Sequence, residues 1–382
     1  MDIRSLFQLA WLARRVVVFK KTQFATRPVC GRKSATTALA TAAIVAVVAN
    51  LGLALAATFS LAVRDPIYAD RAAKLTSVET RLPTGRGVVL MLGTSRTGNG
   101  FDATKAGDRL SKTLDCRVDA FNFGIPGSGP ATHGIHLRRL LDAGHRPALL
   151  LLEVLPASVA EVPGDPLNAL ETRFLDGARF DASERGHLEA AGIPGEPLRK
   201  QWVKSMVLPW SVLRSQLVGR VAPSWVPAGL RCDESRTADS HGWNRIWEES
   251  LTPQSLAAGA DRTRRDYTAI LRGWRPSELA TRALREAINL ARGRGIPTRL
   301  VVMPEASWFR ALHSPASAAR FDRWIHLLAE ETGCPLTDAR AWLLDGSFAD
   351  GHHLLPGGAA AFTNRLVDEV VAPALAAKRA AP

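Results

Sequence analysis

A long uncharged stretch near the N-terminus limits what this chain can fold into. Residues 34–63 read SATTALATAAIVAVVANLGLALAATFSLAV, and Arg64, Asp65 and Pro66 end the run. The run exceeds the ~20 residues that a helix needs to cross a bilayer. A cleaved signal peptide is the alternative, but its apolar region is typically only ~7–15 residues long. The sequence therefore predicts an uncleaved transmembrane helix over 35–63, with a globular domain after it.

Basic residues are concentrated before this stretch. The formal net charge is +13, and residues 1–34 hold eight Lys and Arg residues against a single acid, Asp2. A strongly basic protein raises nucleic acid as a partner, but basic residues beside a span instead follow the positive-inside rule. We therefore expect a cytoplasmic N-terminus, an extracytoplasmic or periplasmic domain, and no nucleic-acid partner.

Short apolar runs alternate with amphipathic helical segments in the remaining chain. The runs are GVVLML at 87–92, RVDAFNF at 117–123, ALLLLEV at 148–154, TRLVVMPE at 298–305 and PLTDAR at 335–340. Strands that alternate with helices are typical of a parallel sheet covered on both faces. The sequence therefore predicts a three-layer α/β domain.

The alternation stops between residues 157 and 265. This stretch contains Pro and Gly interruptions and five tryptophans, Trp202, Trp210, Trp225, Trp243 and Trp247. We interpret it as an insertion or lid whose tryptophans could stack on sugars, although such residues more often belong to a core. The predicted segments are 1–34 (basic, cytoplasmic), 35–63 (transmembrane), 64–156 (first part of the domain), 157–265 (insertion) and 266–382 (second part of the domain).

The cysteines follow from this topology. Cys30 would be cytoplasmic, whereas Cys116, Cys232 and Cys334 would lie in an oxidising compartment, where three thiols form at most one disulfide. The sequence contains no CxxC motif, so we expect structural cysteines rather than a zinc site.

Candidate functional residues follow the predicted strands. Ligands of open parallel sheets bind outside the carboxyl ends of the strands, which directs attention to Ser95, the turn at 122–129, Glu153, and Asp350 with His353. Ser95 follows a buried strand and opens a predicted helix, so it could be a nucleophile or simply an N-cap.

The motif DGHHLLPGG at 350–358 favours proton transfer. Three residues apart on a turn, the Asp350 carboxylate can hold one ring nitrogen of His353 and leave the other free to accept a proton. His352 would then project elsewhere. A metal centre that uses His352, His353, His133 and His136 is an alternative, but we expect no metal and no cofactor.

These motifs together resemble the SGNH (GDSL-type) hydrolase and acyltransferase superfamily. The resemblance rests on Gly93-Thr94-Ser95 after the first strand, Asn122-Phe123-Gly124 after the second, and Asp350 three residues before His353. It implies a flavodoxin-like parallel sheet, with Ser95 as nucleophile, His353 as base and Asp350 as its orienting residue. It also implies that the backbone N–H groups of Ser95 and Gly124 form the oxyanion hole.

The sequence departs from this family after the third strand. The family has an asparagine there that donates to the oxyanion hole, whereas this chain has Glu153. Asn122 and Asn99 could substitute for it. Glu153 could order the site, contact a substrate hydroxyl, or bind a neighbouring turn.

The membrane anchor suggests a physiological setting. Anchored proteins of this superfamily resemble accessory proteins of alginate acetylation and of D-alanyl transfer to teichoic acids, which act beside a multispanning O-acyltransferase. The resemblance therefore implies an extracytoplasmic serine esterase or O-acyltransferase that acts on acyl esters, including those of a cell-surface polysaccharide. The alternative is a non-catalytic binding or assembly component with the same fold.

Overall fold

A computed structural model describes residues 32–83, 87–162, 171, 179–226 and 237–380. Most of the basic N-terminal segment, with Cys30, lies outside the described residues, as does Cys232. The chain divides into two compact units, Met1–Ala49 and Asn50–Pro382. The second unit contains the whole sheet and all the candidate site residues.

The apolar stretch forms one continuous helix, Arg32–Phe59, which we call α1. Within the described residues, one helix is long and apolar enough to span a membrane, over Ala35–Phe59. The helix ends at Phe59, four residues before the predicted end of the span at residue 63. It ends because Ser60 adopts an extended backbone (φ −127°, ψ 110°) and starts a separate short turn, Leu61–Arg64.

Five parallel strands form a single sheet, as the sequence predicts. They are β1 (Val89–Gly93), β2 (Ala120–Gly124), β3 (Leu149–Glu153), β4 (Thr298–Val302) and β5 (Leu336–Asp338), in the order β2-β1-β3-β4-β5. The order reverses between β1 and β3, which is the point where flavodoxin-like sheets bind their ligands. In register, Leu92 pairs with both Phe123 and Leu152, so these three strands end side by side.

Helices of the second unit connect and cover these strands. They are α2 (Leu61–Arg64), α3 (Pro66–Glu79), α4 (Ser95–Gly100), α5 (Ala103–Thr113), α6 (Pro130–Asp142), α7 (Ala182–Ala190), α8 (Gly195–Val207), α9 (Pro209–Val221), α10 (Pro253–Arg272), α11 (Glu278–Gly293), α12 (Ser307–Arg310), α13 (Pro315–Thr332), α14 (Pro356–Leu366) and α15 (Ala372–Ala380). A π-helical turn, Val367–Val371, joins α14 to α15. Short 3₁₀ turns are Pro156–Val159, Pro223–Trp225 and Asp345–Ser347.

The strand order determines which face each helix covers. Right-handed crossovers place the connection from β1 to β2 on one face and the later connections on the other. Accordingly, α5 packs against α14, whereas α11 packs against α6 and α13. The sheet is thus the middle layer of three, with β1, β2 and β3 fully buried.

The predicted insertion is mainly helical where it is described. It includes α7, α8 and α9, and the proposed boundary at residue 265 falls inside α10. The helix α10 therefore continues from the insertion into the second part of the domain.

A buried charge cluster joins the start of the globular domain to its helices. The Arg139 guanidinium donates to Asp65 at 2.8 Å and to Glu184 at 2.5 and 3.0 Å. Burial alone would raise the pKa of Asp65, but His136, Arg179 and Arg139 outweigh it and lower that pKa far below its usual value. Asp65 therefore stays charged, and the segment just after α1 is fixed to α6 and α7.

Candidate active site

The serine turn lies directly after the central strand β1. Thr94 is the N-cap of α4, where its hydroxyl accepts from the Arg96 backbone N–H at 3.1 Å. Ser95 is therefore the first residue of the helix, and Thr94 fills the N-cap role that the sequence left open for Ser95. The backbone N–H of Ser95 has no hydrogen-bond acceptor among the described residues.

Glu153 lies beneath this turn at the end of β3. Its carboxylate accepts from the Thr94 backbone N–H at 2.7 Å, the Thr97 hydroxyl at 2.6 Å and the Thr94 hydroxyl at 3.0 Å. A more distant donor is the Thr97 backbone N–H at 3.3 Å. The side chain is buried, so these donors replace the water that a carboxylate otherwise requires. Glu153 thus contacts the turn, one of the roles that the sequence left open.

The close approach of Glu153 also explains the glycine before the turn. A Cβ atom at Gly93 would lie 2.0 Å from the Thr97 hydroxyl oxygen and 2.3 Å from the Glu153 carboxylate. Only glycine leaves room for these contacts.

Ser95, His353 and Asp350 converge, although Ser95 and His353 are 258 residues apart in the chain. The Ser95 Oγ lies 2.8 Å from His353 Nε2, and His353 Nδ1 lies 2.8 Å from Asp350 Oδ2. The other Asp350 oxygen accepts from the His353 backbone N–H at 2.9 Å. One carboxylate therefore fixes both the backbone and the ring of His353.

This arrangement favours one tautomer of His353. With Asp350 ionised, Nδ1 carries the proton and Nε2 is left to accept from the serine hydroxyl. Burial would raise the pKa of Asp350, but the adjacent His353 and His352 and the hydrogen bonds from His353 lower that pKa well below its usual value.

The loop that carries Asp350 has a constrained backbone. Gly351 has φ +90°, and a Cβ there would lie 2.2 Å from the Trp308 ring. Glycine is favoured because other residues rarely adopt this conformation. Trp308 also lines a cavity of about 380 Å³ beside Asp350, between this loop and α10, with Arg264 4.8 Å above its ring.

The His352 ring lies among aromatic side chains, and its Nδ1 is 3.3 Å from Asp350 Oδ1. Its ring stacks on Phe309 at 5.1 Å and lies 4.9 Å from Tyr267. Burial lowers the pKa of His352 well below its ordinary value, and the neighbouring His353 lowers it further. His352 is therefore a neutral packing residue in this arrangement.

Asn122 and Gly124 have partners within the protein. The Gly124 N–H donates to Asn122 Oδ1 at 2.9 Å, and the Asn122 amide donates to the carbonyls of Thr97 and Phe101 at 2.7 Å each. Asn122 thus connects β2 to the end of α4. In this conformation neither group is free to donate to an oxyanion.

Asn99 differs from these residues because its amide is unsatisfied. It is one helical turn after Ser95, and only 5% of the residue is exposed. Its Nδ2 has no hydrogen-bond partner among the described residues, which is unusual for a buried amide group. The backbone of Asn99 is fixed independently, because the Trp243 indole donates to its carbonyl at 2.8 Å.

Arg96 and Glu305 support the same turn, and the sequence analysis missed them. The fully buried Arg96 pairs with Glu305 at 3.2 Å and donates to the carbonyls of Met303 and Pro304. These contacts connect the serine turn to the end of β4. Arg96 directly follows Ser95, and Glu305 ends the apolar run at 298–305, so their positions at the ends of strand segments are the signal that could have identified them.

The histidine pair in α6 lies outside this group. His133 Nε2 is 3.0 Å from Ser128 Oγ, and His136 Nε2 is 3.6 Å from Asp65. Within the described part of the chain, the potential metal ligands that converge are Asp350, His352 and His353. The structure therefore does not join the four histidines of the metal alternative into one centre.

The remaining candidates are dispersed. Cys334 is a buried free thiol whose Sγ lies 3.3 Å from the Thr298 carbonyl. Trp202 lies under the Arg185 guanidinium at 4.1 Å, whereas Trp210 and Trp225 are exposed.

Comparisons with known proteins give little further information. No protein-family model matches the chain, and a search of curated proteins found no match. Among solved structures, the chain is similar to a mutant of the esterase AlinE4, at 14% identity and a TM-score of 0.32, covering 79% of this chain and 100% of the other. A likeness this distant does not indicate a function, so any functional proposal has to rest on the geometry of the site.

The hydrogen bonds to Glu153 predict that the protein loses stability when the Thr97 hydroxyl is removed. We expect Thr97→Val to lower the free energy of unfolding by about 1.5–3 kcal/mol, because it removes a hydrogen bond to a buried carboxylate. The matched control is Thr76→Val on the exposed face of α3, which should change stability by less than about 0.5 kcal/mol. Denaturant unfolding of the full chain in detergent measures both, and equal effects would contradict the role given to Glu153.

Proposed function

We propose that this protein is a membrane-anchored serine esterase or O-acyltransferase with an extracytoplasmic catalytic domain. The observation that carries the proposal is the hydrogen-bonded series from Ser95 through His353 to Asp350, with both side-chain contacts at 2.8 Å. A serine hydroxyl becomes a useful nucleophile when an oriented histidine removes its proton.

The proposed reaction has two steps. His353 Nε2 accepts the Ser95 proton as Oγ attacks the ester carbonyl, and the same proton then passes to the departing alcohol. Water or a sugar hydroxyl next attacks the acyl-serine, again with His353 as base. Ester hydrolysis results when water is the acceptor, and acyl transfer results when a sugar is the acceptor.

The tetrahedral intermediate requires donors for its negative oxygen. We propose the free N–H of Ser95 and the unsatisfied amide of Asn99, because Gly124 and Asn122 donate within the protein. Residues four apart lie on one helix face, and the Cα–Cβ bond tilts toward the helix N-terminus. On this geometry we propose that the Asn99 side chain is directed toward the Ser95 end of α4. Asn99 would thus perform the task of the asparagine that Glu153 replaces.

The hydrogen bonds of Gly124 and Asn122 within the protein also support a second candidate function. The bond from Gly124 to Asn122 leaves the predicted oxyanion hole incomplete in this conformation. That observation favours a binding or assembly component of a polysaccharide-modification complex that retains the fold without turnover. Failure of a fluorophosphonate to label Ser95 in folded protein would support this second function over the first.

The apolar helix and the basic residues before it support the localisation. We propose a single-pass protein whose N-terminus is cytoplasmic and whose domain lies in the periplasm or its equivalent. Its substrate would be an acyl ester of a cell-surface polysaccharide, and its partner a multispanning O-acyltransferase in the same membrane.

The catalytic proposal predicts large losses from single substitutions. We expect Ser95→Ala and His353→Ala each to reduce acetyl-ester cleavage by roughly 10³–10⁶-fold, because each removes a group that forms or activates the nucleophile. The controls Ser255→Ala and His326→Ala alter exposed residues and should leave the rate unchanged. Wild-type turnover by both site variants would refute the proposal.

If Asn99 donates to the oxyanion, its loss should affect the reaction and not only the stability of the fold. We expect Asn99→Ala to lower kcat by about 10²–10³-fold with little change in KM, because the donor acts only on the intermediate. Asn289→Ala, on the exposed face of α11, is the control. A kcat that is unaffected, or that falls only in proportion to the folded fraction, would exclude Asn99 as a donor.

The topology has a separate test. Alkaline phosphatase fused after Pro382 should be active in bacterial cells, because that enzyme folds only where disulfides form. The same reporter fused after Gly31 is the control and should be inactive. The reverse pattern would place the domain in the cytoplasm.

A further inference from the structure

The turn between α8 and α9 exposes a run of apolar side chains. Met206, Val207 and Leu208 are consecutive and 37%, 66% and 53% exposed, and Trp210 is 51% exposed. Val203, one turn earlier on α8, is 47% exposed. We call Val203–Trp210 the apolar turn. Soluble surfaces rarely expose such runs unless a partner covers them.

Helix α8 buries little of its apolar surface in the protein. Its buried residues are Leu198 and Ser205, whereas its larger apolar residues near the C-terminus face outward. A surface helix normally turns its apolar residues toward the core. The sequence of α8 therefore fits a helix whose apolar C-terminal end is covered by something other than the protein core.

The apolar turn lies beside the end of the apolar helix α1. The Thr58 hydroxyl lies 3.8 Å from Met206 Sδ, and Thr58 is in the last turn of the apolar stretch Ala35–Phe59. Helix α9 packs against α2, directly after that stretch. Nearby, the α1 residues Leu51, Leu55 and Phe59 are also exposed. The exposed apolar surface thus continues from the end of α1 onto the apolar turn.

The length of the apolar helix places this contact at the membrane surface. Its 25 residues rise about 37 Å at 1.5 Å per residue, which exceeds the ~30 Å hydrocarbon core. Thr58 is the second-last residue of this stretch, so a helix of this length that spans the bilayer would bring Thr58 and the adjacent Met206 to the headgroup region. The packing of α9 against α2 holds the apolar turn beside the end of this stretch.

The charges beside the apolar turn match a lipid surface. Arg199, Lys200 and Lys204 are exposed on α8, against the single acid Glu196. Lysine and arginine stems can lie along apolar surface while their charged ends reach lipid phosphates, and tryptophan prefers the same interface.

We propose that the apolar turn is a second membrane contact, which inserts into the headgroup region of the leaflet where α1 ends. The partner is a lipid bilayer that contains anionic headgroups. Together with α1, this contact holds the domain against the membrane in one orientation. The proposal does not depend on the chemistry of Ser95.

Bromolipid quenching of tryptophan fluorescence tests the proposal. Full-length protein is reconstituted into phosphatidylcholine–phosphatidylglycerol vesicles, with or without bromine on the acyl chains near the headgroups. We expect Trp210→Phe to lose most of the bromine-dependent quenching that the wild type shows. The matched control, Trp308→Phe, alters a tryptophan beside the candidate site and should retain it.

Each outcome is decisive. Equal bromine-dependent quenching in wild type and Trp210→Phe would overturn the proposal, and cross-linking through the apolar turn would then identify a second copy as its occupant. Failure of the wild-type protein to float with the vesicles would also overturn it, because the position of the turn is argued from α1. Both variants are conservative, and near-ultraviolet circular dichroism verifies their folding.

Discussion

The Glu153 carboxylate is the interaction on which the candidate site depends. It lies at the end of β3, beside the end of β1, and binds Thr94 and Thr97 on either side of Ser95. A buried carboxylate is costly unless donors surround it, and here the donors come from the residues that form the serine turn. The charge and the turn therefore stabilise each other, and Gly93 provides the space that both require.

The other half of the site is fixed from a different part of the chain. Asp350 binds both the backbone and the ring of His353, while Phe309 and Tyr267 enclose the neighbouring His352. The pair Arg96 and Glu305 connects the residue after the serine to the end of β4, and the next residue, Ala306, donates its N–H to the Gly351 carbonyl at 2.9 Å in the loop that carries Asp350. The hydrogen-bonded arrangement of Ser95, His353 and Asp350 at the end of the sheet is thus maintained by buried polar contacts behind it.

The segment that directly follows the apolar helix belongs to the same compact unit as the candidate site. The chain leaves the apolar helix at Ser60 and is fixed at once by Asp65 and Arg139 to a helix that packs on the sheet. If α1 spans a bilayer and the turn near Met206 rests on it, the domain has little freedom to rotate.

The sequence alone determined the apolar helix, the five parallel strands and the spacing of Asp350 and His353, because hydrophobic period and local turns encode these features. It also singled out Glu153 at the end of the third strand as a candidate site residue. Only the tertiary structure decided that Asn122 and Gly124 bind each other, that Asn99 is left unsatisfied, and that Arg96 pairs with Glu305. These contacts join residues from different strands and loops, and their partners depend on packing distances that no local pattern records.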